Sequence, residues 1–146
     1  MIQTIRQAIY DQLNTLVSTN PAETSKPITA LSDFFVIAPD WFPFCMFEFQ
    51  SDTGSVFTNV ENERVLNWRI ILRQEYWSSD NTREDAMDIV LDAYEKVVDL
   101  LDTEWELDGN VIYSKPINSN LETVQTENWF ELNIDISLDT SIITDA

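Results

Sequence analysis

The sequence contains no histidine, and this absence removes several kinds of active site. Histidine is the base of Ser–His–Asp and Cys–His arrangements and a common metal ligand, so none of these sites can be built. The single cysteine, Cys45, excludes an internal disulfide and has no histidine to help form its thiolate. Its position in the apolar run FPFCMFEF favours a small buried hydrophobe.

Glycine and basic residues are also scarce. Two glycines, Gly54 and Gly109, cannot form a glycine-rich phosphate loop. Eight Lys and Arg stand against 26 Asp and Glu, which gives a net charge of −18. Such a chain repels nucleic acid and anionic membranes, so it is not expected to bind DNA through a basic face. With no calcium-loop motif and no pair of acids in an apolar setting, we expect no cofactor, no metal and no enzymatic activity.

Long apolar runs are absent too. No window approaches the roughly 18 apolar residues of a membrane span, and the N-terminal MIQTIRQAIYDQL does not resemble a targeting segment. We therefore expect a soluble protein, made in a cytoplasm, without a membrane partner. Its 146 residues, 44% of them apolar, predict one domain spanning residues 1–146.

Hydrophobic periodicity predicts an α+β fold with the order α-β-β-β-α-β-β. Helices are expected at residues 2–17 and from about Thr82. Strands are expected at residues 44–50, 56–60, 64–77, 110–115 and 129–138, with turns at 52–54 and 62–63. A flexible loop at about 20–43 and a loose tail at about 140–146 complete the chain. The expected architecture is a mostly antiparallel or mixed sheet with both helices on one face.

Two groups of residues are candidates for a subunit interface. The loop 20–43 holds four of the five prolines and many aromatic residues, which either fold back on the core or dock on a neighbouring subunit. Arg69 and Arg73 share one face of a strand, where they either pair with acids across the sheet or reach an acidic surface of another subunit. The candidate interface residues are Phe34, Phe35, Trp41, Phe42, Arg69 and Arg73.

The second helix carries an acidic stripe at alternating spacings of three and four residues: Asp85, Asp88, Asp92, Glu95, Asp99 and Asp102. These positions span about 100° of the helix circumference, opposite the apolar face. Residues 80–108 contain eleven acidic and two basic residues, which gives a net charge of −9. The stripe is either a solvated face of an acidic protein or a functional surface that repels DNA, binds arginines or holds a divalent cation weakly.

The order of these segments resembles the tail-terminator, or tail-to-head joining, proteins of long-tailed bacteriophages. The matching pieces cover nearly the whole chain: RQAIYDQL, FPFCMFEF after a long loop, RVLNWRIILRQEYW, SSDNTREDAMDIVLDAYEKVVDLL and TENWFELNIDISL. The loop 20–43 departs from the pattern, because it is longer and more aromatic. The match lies in element order and patterning, so no residue's role is carried over from the family.

The resemblance implies a structural virion protein at the top of the phage tail, in the neck, made in a bacterial cytoplasm. A closed homomeric ring of about six copies would cap the tail tube, stop its polymerisation and offer a surface to the head connector. Its partners would be the tail tube protein and a head completion protein. DNA would pass through an acidic bore without specific binding. The alternative is an acidic DNA mimic that inhibits a host DNA-binding enzyme.

Overall fold

The computed structural model describes residues 1–19, 25–36, 39, 41–56, 61–76, 80–107, 109–126 and 129–145. Its elements follow the order α-β-β-β-α-β-β, which confirms the predicted order and fold class. They are α1 (Ile2–Asn14), β1 (Ala30–Ser32), β2 (Phe44–Val56), β3 (Glu61–Glu75), α2 (Asp80–Thr103), β4 (Tyr113–Thr126) and β5 (Trp129–Asp145).

The strands form one mixed sheet in the order β1-β2-β3-β5-β4. The short β1 runs parallel to β2, and every other pair is antiparallel. The long β3 and β5 occupy the centre and pair along their whole lengths, from Glu61 opposite Asp145 to Glu75 opposite Glu131. β2 and β4 therefore flank a rigid central pair.

One face of the sheet and both helices share a single core. Alternating residues of β3 and β5 are buried there, with Trp68 and Leu138 fully inaccessible. The buried residues are Leu66, Trp68, Ile70, Leu72, Leu132, Ile134, Ile136 and Leu138. The helices contribute side chains at helical spacing, including Ile9 from α1 and Val97 from α2. Trp68 satisfies its indole N–H by donating to Thr140 Oγ1 at 3.0 Å, so the largest core side chain leaves no polar atom unpaired.

A smaller apolar cluster lies on the opposite face of the sheet. Phe44, Met46 and Ile71 are buried there under the chain segment that follows β1, which adds Val36 and Phe42. The rest of this open face is mostly polar. The segment between α1 and β2 thus reaches both faces at one edge of the sheet.

Several predicted boundaries were wrong. The turns predicted at 52–54 and 62–63 lie inside strands, where Gly54 pairs with Arg64 and Val56 with Asn62. The expected strands 44–50 and 56–60 therefore belong to a single long strand, β2, as far as Val56, while residues 57–60 lie outside the described part. The segment predicted to be a loop at about 20–43 contains a short strand, β1. α1 ends at Asn14 rather than residue 17.

The C-terminal part of the chain is also more ordered than predicted. Residues 140–145, expected to be a loose tail, continue β5 and pair with β3, and Thr140, Ser141 and Ile142 are buried. β4 does not stop at Pro116 but continues to Thr126. A register shift between Pro116 and Asn118 accommodates the proline, which has no N–H to donate to the sheet and is therefore tolerated on an edge strand at a bulge.

Candidate interaction surfaces

The acidic stripe lies on an exposed helix face. The buried side of α2 consists of Ala86, Val90, Ala93, Val97 and Leu101. Ile89, which helical periodicity also places on the apolar face, is 42% exposed. All six stripe acids are exposed. The Asp92 carboxylate forms an ion pair with Lys96 at 3.1 Å. The last turn of α2 contains no basic residue. Among the described residues, no group of three acids or cysteines is placed to hold a metal ion.

The aromatic residues of the loop divide into two groups. Phe34, Phe35 and Trp41 are 60%, 51% and 67% exposed. Phe42 is half-buried and packs on the smaller apolar cluster. One aromatic side chain thus folds back on the sheet and three are exposed. Docking of these three on a neighbouring subunit stays a prediction. Residues 20–24, 37–38 and 40 of the loop lie outside the described part of the chain.

The two candidate arginines have different surroundings. Arg69 is partly exposed and bridges Asp135, at 2.7 Å, and Glu48, at 3.7 Å. Arg73 is buried and makes a two-pronged ion pair with Glu131, with Nε–Oε1 and Nη2–Oε2 distances of 2.6 Å each. Its Nη1 also donates to the backbone carbonyl of Val36. Both arginines thus pair with acids of the same chain, and their assignment to a subunit interface stays a prediction.

Depressions on the surface of the described residues include a polar groove on the sheet and a cleft beside the first helix. A polar groove of about 210 Å³ on the open face is lined by Arg69, Asp135 and the neighbouring amides Asn118 and Asn120. A cleft of about 350 Å³, the β2 cleft, lies between the start of α1, the segment after β1 and the outer edge of β2. Its walls combine apolar and charged side chains: Ile2, Arg6, Asp33, Phe34, Phe35, Glu48, Phe49 and Trp68.

Two exposed apolar residues were not predicted from the sequence, one in the β2 cleft and one on β4. Phe49 of the cleft is 41% exposed, with its ring edge-on to Trp68 at a centroid distance of 5.5 Å. Leu121, 49% exposed on β4, was not singled out either. Both residues lie on strands at or near the margins of the sheet. The strand order creates their exposure, and no local pattern in the sequence indicates that order.

Cys45 has the role predicted for it. It is fully buried in the main core, and burial raises the pKa of its thiol to about 12. A thiol in this state is protonated at neutral pH and is not a nucleophile.

Comparison with known proteins finds a structural likeness but no sequence relative. The chain superposes on a protein chain from the virion of a native gene transfer agent particle with a TM-score of 0.59. The match covers 95% of this chain and 94% of the other, at 13% sequence identity. At this identity the likeness shows a shared fold over nearly the full length of both chains. No protein-family model and no curated protein matches the sequence. In the described residues, no helix has the length and apolar character needed to cross a membrane.

Proposed function

We propose that the protein is a structural component of a phage-like virion and, more specifically, the tail terminator. In this role about six copies close into a ring that caps the tail tube, stops its polymerisation and presents a joining surface to the head connector. The observation that carries the proposal is the near-full-length likeness in fold to a chain from a gene transfer agent virion. The element order that resembles tail terminators supports the finer assignment.

Two properties of the surface fit a ring through which DNA passes. The exposed aromatic side chains Phe34, Phe35 and Trp41 offer apolar contact area of the kind that subunit interfaces cover. The acidic stripe offers no cation to a phosphate, so a bore lined by it would not retain DNA. The stripe could instead contact an arginine-bearing partner, and its charge would then guide attachment to the neighbouring virion protein.

The test is electron microscopy of negatively stained protein at high concentration, with and without magnesium, together with isolated tails. We expect closed rings in the concentrated protein and the same ring at the head-proximal end of tails. Antibody labelling of that end identifies the chain. Size in dilute buffer does not decide the question, because a weak ring dissociates on dilution. Absence of rings at high concentration and on tails contradicts the proposal.

The exposed acidic helix face also favours a second candidate, a DNA mimic that occupies the DNA site of a host enzyme. Six carboxylates on one rigid helix present a row of negative charge comparable to a phosphate strand. The two candidates differ in one assay. A DNA mimic inhibits a nuclease as a free monomer, and replacing Asp99 and Asp102 with lysine removes that inhibition without affecting virion assembly.

A further inference from the structure

The sheet has free margins on both sides. β1 pairs with β2 only at residues 44–46, so residues 47–56 of β2 have no partner on their outer edge among the described residues. At the other margin, β4 pairs with β5 on one side and has no described strand on the other. Unpaired backbone N–H and C=O groups at such edges are a template for another strand.

The directions of the two free strands allow them to pair with each other between copies. β2, β3, β5 and β4 alternate in direction, so β2 and β4 run opposite ways. If copies are related by rotation, the β2 of one copy meets the β4 of the next in antiparallel orientation, and the alternation continues across the boundary. The free part of β2, residues 47–56, is about as long as residues 118–126 of β4, which follow Pro116 and its bulge.

The exposed apolar side chains are placed to match across this boundary. Phe49 is opposite Trp68, and Leu121 is opposite Ile134, so both point to the helix-covered face of the sheet. In a continued sheet they lie on the same face of neighbouring strands, where apolar cross-strand pairs stabilise the sheet. The β2 cleft beside Phe49 has room for a branched aliphatic side chain between Ile2, Phe34 and Phe35. Leu121 of the adjacent copy fits this description.

We propose that the occupant of the β2 edge is β4 of a second copy of this chain, with its Leu121 in the β2 cleft against Phe49. The contact is head-to-tail, because it uses different surfaces on the two copies, and repeated contacts of this kind close into a ring when the rotation permits. The inference rests on the proposed ring and specifies how its subunits join.

Two variants block the two sides separately. Phe49→Arg places a charge at the β2 edge and leaves β4 intact, while Leu121→Arg does the reverse. Ile143→Arg is the matched control, because Ile143 is 39% exposed but lies on the central β5 and on the other face of the sheet. Far-ultraviolet circular dichroism and thermal unfolding verify folding. Phe49→Gln replaces Phe49→Arg if the charged variant does not fold.

Each blocking variant alone should form no rings in negative stain, whereas Ile143→Arg should form them as the natural protein does. An equimolar mixture of the two blocked variants should form dimers of about twice 16.9 kDa and nothing larger, measured by native mass spectrometry. The reason is that only one intact edge pair exists between the two variants. The same mixture therefore tests the head-to-tail character of the contact.

Three results overturn the inference. Rings formed by Leu121→Arg alone show that the ring joins elsewhere, which leaves the proposed ring intact and removes only this interface. A mixture that forms oligomers larger than dimers likewise excludes the head-to-tail edge contact, because the two blocked variants share only one intact edge pair. If the natural protein itself forms no ring at high concentration or on tails, the proposed function fails and the interface fails with it.

Discussion

The guanidinium of Arg73 connects three separate parts of the chain. From β3 it forms an ion pair with Glu131 on β5. It also donates a hydrogen bond to the backbone carbonyl of Val36, in the segment that carries Phe34 and Phe35. Both charged side chains are nearly inaccessible, at 6% and 1% exposure. Charges removed from water this completely depend on each other, because a buried charge without its partner is strongly unfavourable. The position of the aromatic segment therefore depends on the ion pair.

Arg73→Met should lower the free energy of unfolding by about 3–5 kcal/mol, since it leaves the Glu131 carboxylate buried without its partner. Adding Glu131→Leu should recover most of that loss, because an apolar pair of similar volume has no charge to desolvate. Arg69→Met is the control, and its half-exposed pair should contribute at most about 1 kcal/mol. Urea unfolding followed by tryptophan fluorescence measures all three. A double variant as unstable as Arg73→Met would contradict this account.

The sequence indicated the residue types of these pairs but not the partners. Arg69 and Arg73 are spaced four apart on an alternating strand, so their common strand face was predictable. Arg69 pairs with Asp135 and Arg73 with Glu131. These partners were not predictable because they depend on β5 lying beside β3 in the sheet. The exposure of Phe49 depends on the sheet in the same way, because β1 ends before it covers that part of β2.

At the scale of the element, the negative side chains at the C-terminal end of α2 oppose the helix dipole. Asp99 and Asp102 occupy its last turns, where the helix carbonyls already concentrate negative charge, and no basic residue offsets them there. A helix shaped by stability alone would place cations at this end. The conflict is the reason to test the acidic stripe for function.

The double variant Asp99→Lys, Asp102→Lys should be more stable than the natural protein by about 0.3–1 kcal/mol per site at low salt. Thermal unfolding at two salt concentrations measures this, because the gain should shrink as salt screens it. Replacing both residues with asparagine removes the charge without reversing it and should give a smaller gain.

Virion assembly and DNA passage of the lysine double variant show whether the acidic stripe is a functional surface or only a solvated face. A bore or partner surface predicts a variant that folds well but fails in virion assembly or DNA passage. Full particle yield from the stabilised variant would show that the stripe is only a solvated face.

In the strands, pairing with a neighbouring strand overrides some local turn preferences of the sequence. Asp52, Thr53 and Gly54 have strong turn preferences, yet they extend β2 opposite β3, and Arg64 pairs with Asp52 at 3.1 Å across the two strands. Cross-strand contacts of this kind are available only once the partner strand is in register. The periodic stretches of β3, β5 and α2 were predictable because their burial pattern repeats over many residues. The boundaries depended on neighbours distant in sequence.

For the whole molecule, the high net charge would oppose the proposed ring. About six copies of a chain with net charge −18 would bring together about −108 charges in one ring. Repulsion between exposed charges weakens as the Debye length falls from about 30 Å at 0.01 M salt to about 8 Å at 0.15 M. The edge contact proposed here is apolar and backbone-mediated, so screening reduces the repulsion without removing the attraction.

Raising sodium chloride from 0.01 M to 0.15 M should therefore increase the fraction of protein in rings at fixed protein concentration. Sedimentation velocity measures that fraction, and magnesium should act at lower concentration than sodium. Tetramethylammonium chloride at equal ionic strength is the control for specific cation binding, since it screens without coordinating carboxylates. Dissolution of rings by salt would mean that contacts between opposite charges hold the ring together.

Because Cys45 is buried, the reactivity of its thiol reports how often the core of the protein opens. Its thiol is the only one in the sequence, and at a pKa of about 12 inside the core it can react with a thiol reagent only when β2 separates from the helices. The labelling rate of the natural protein therefore measures how often the core opens. Compared between free subunits and the proposed rings, that rate would show whether assembly slows the opening of the core.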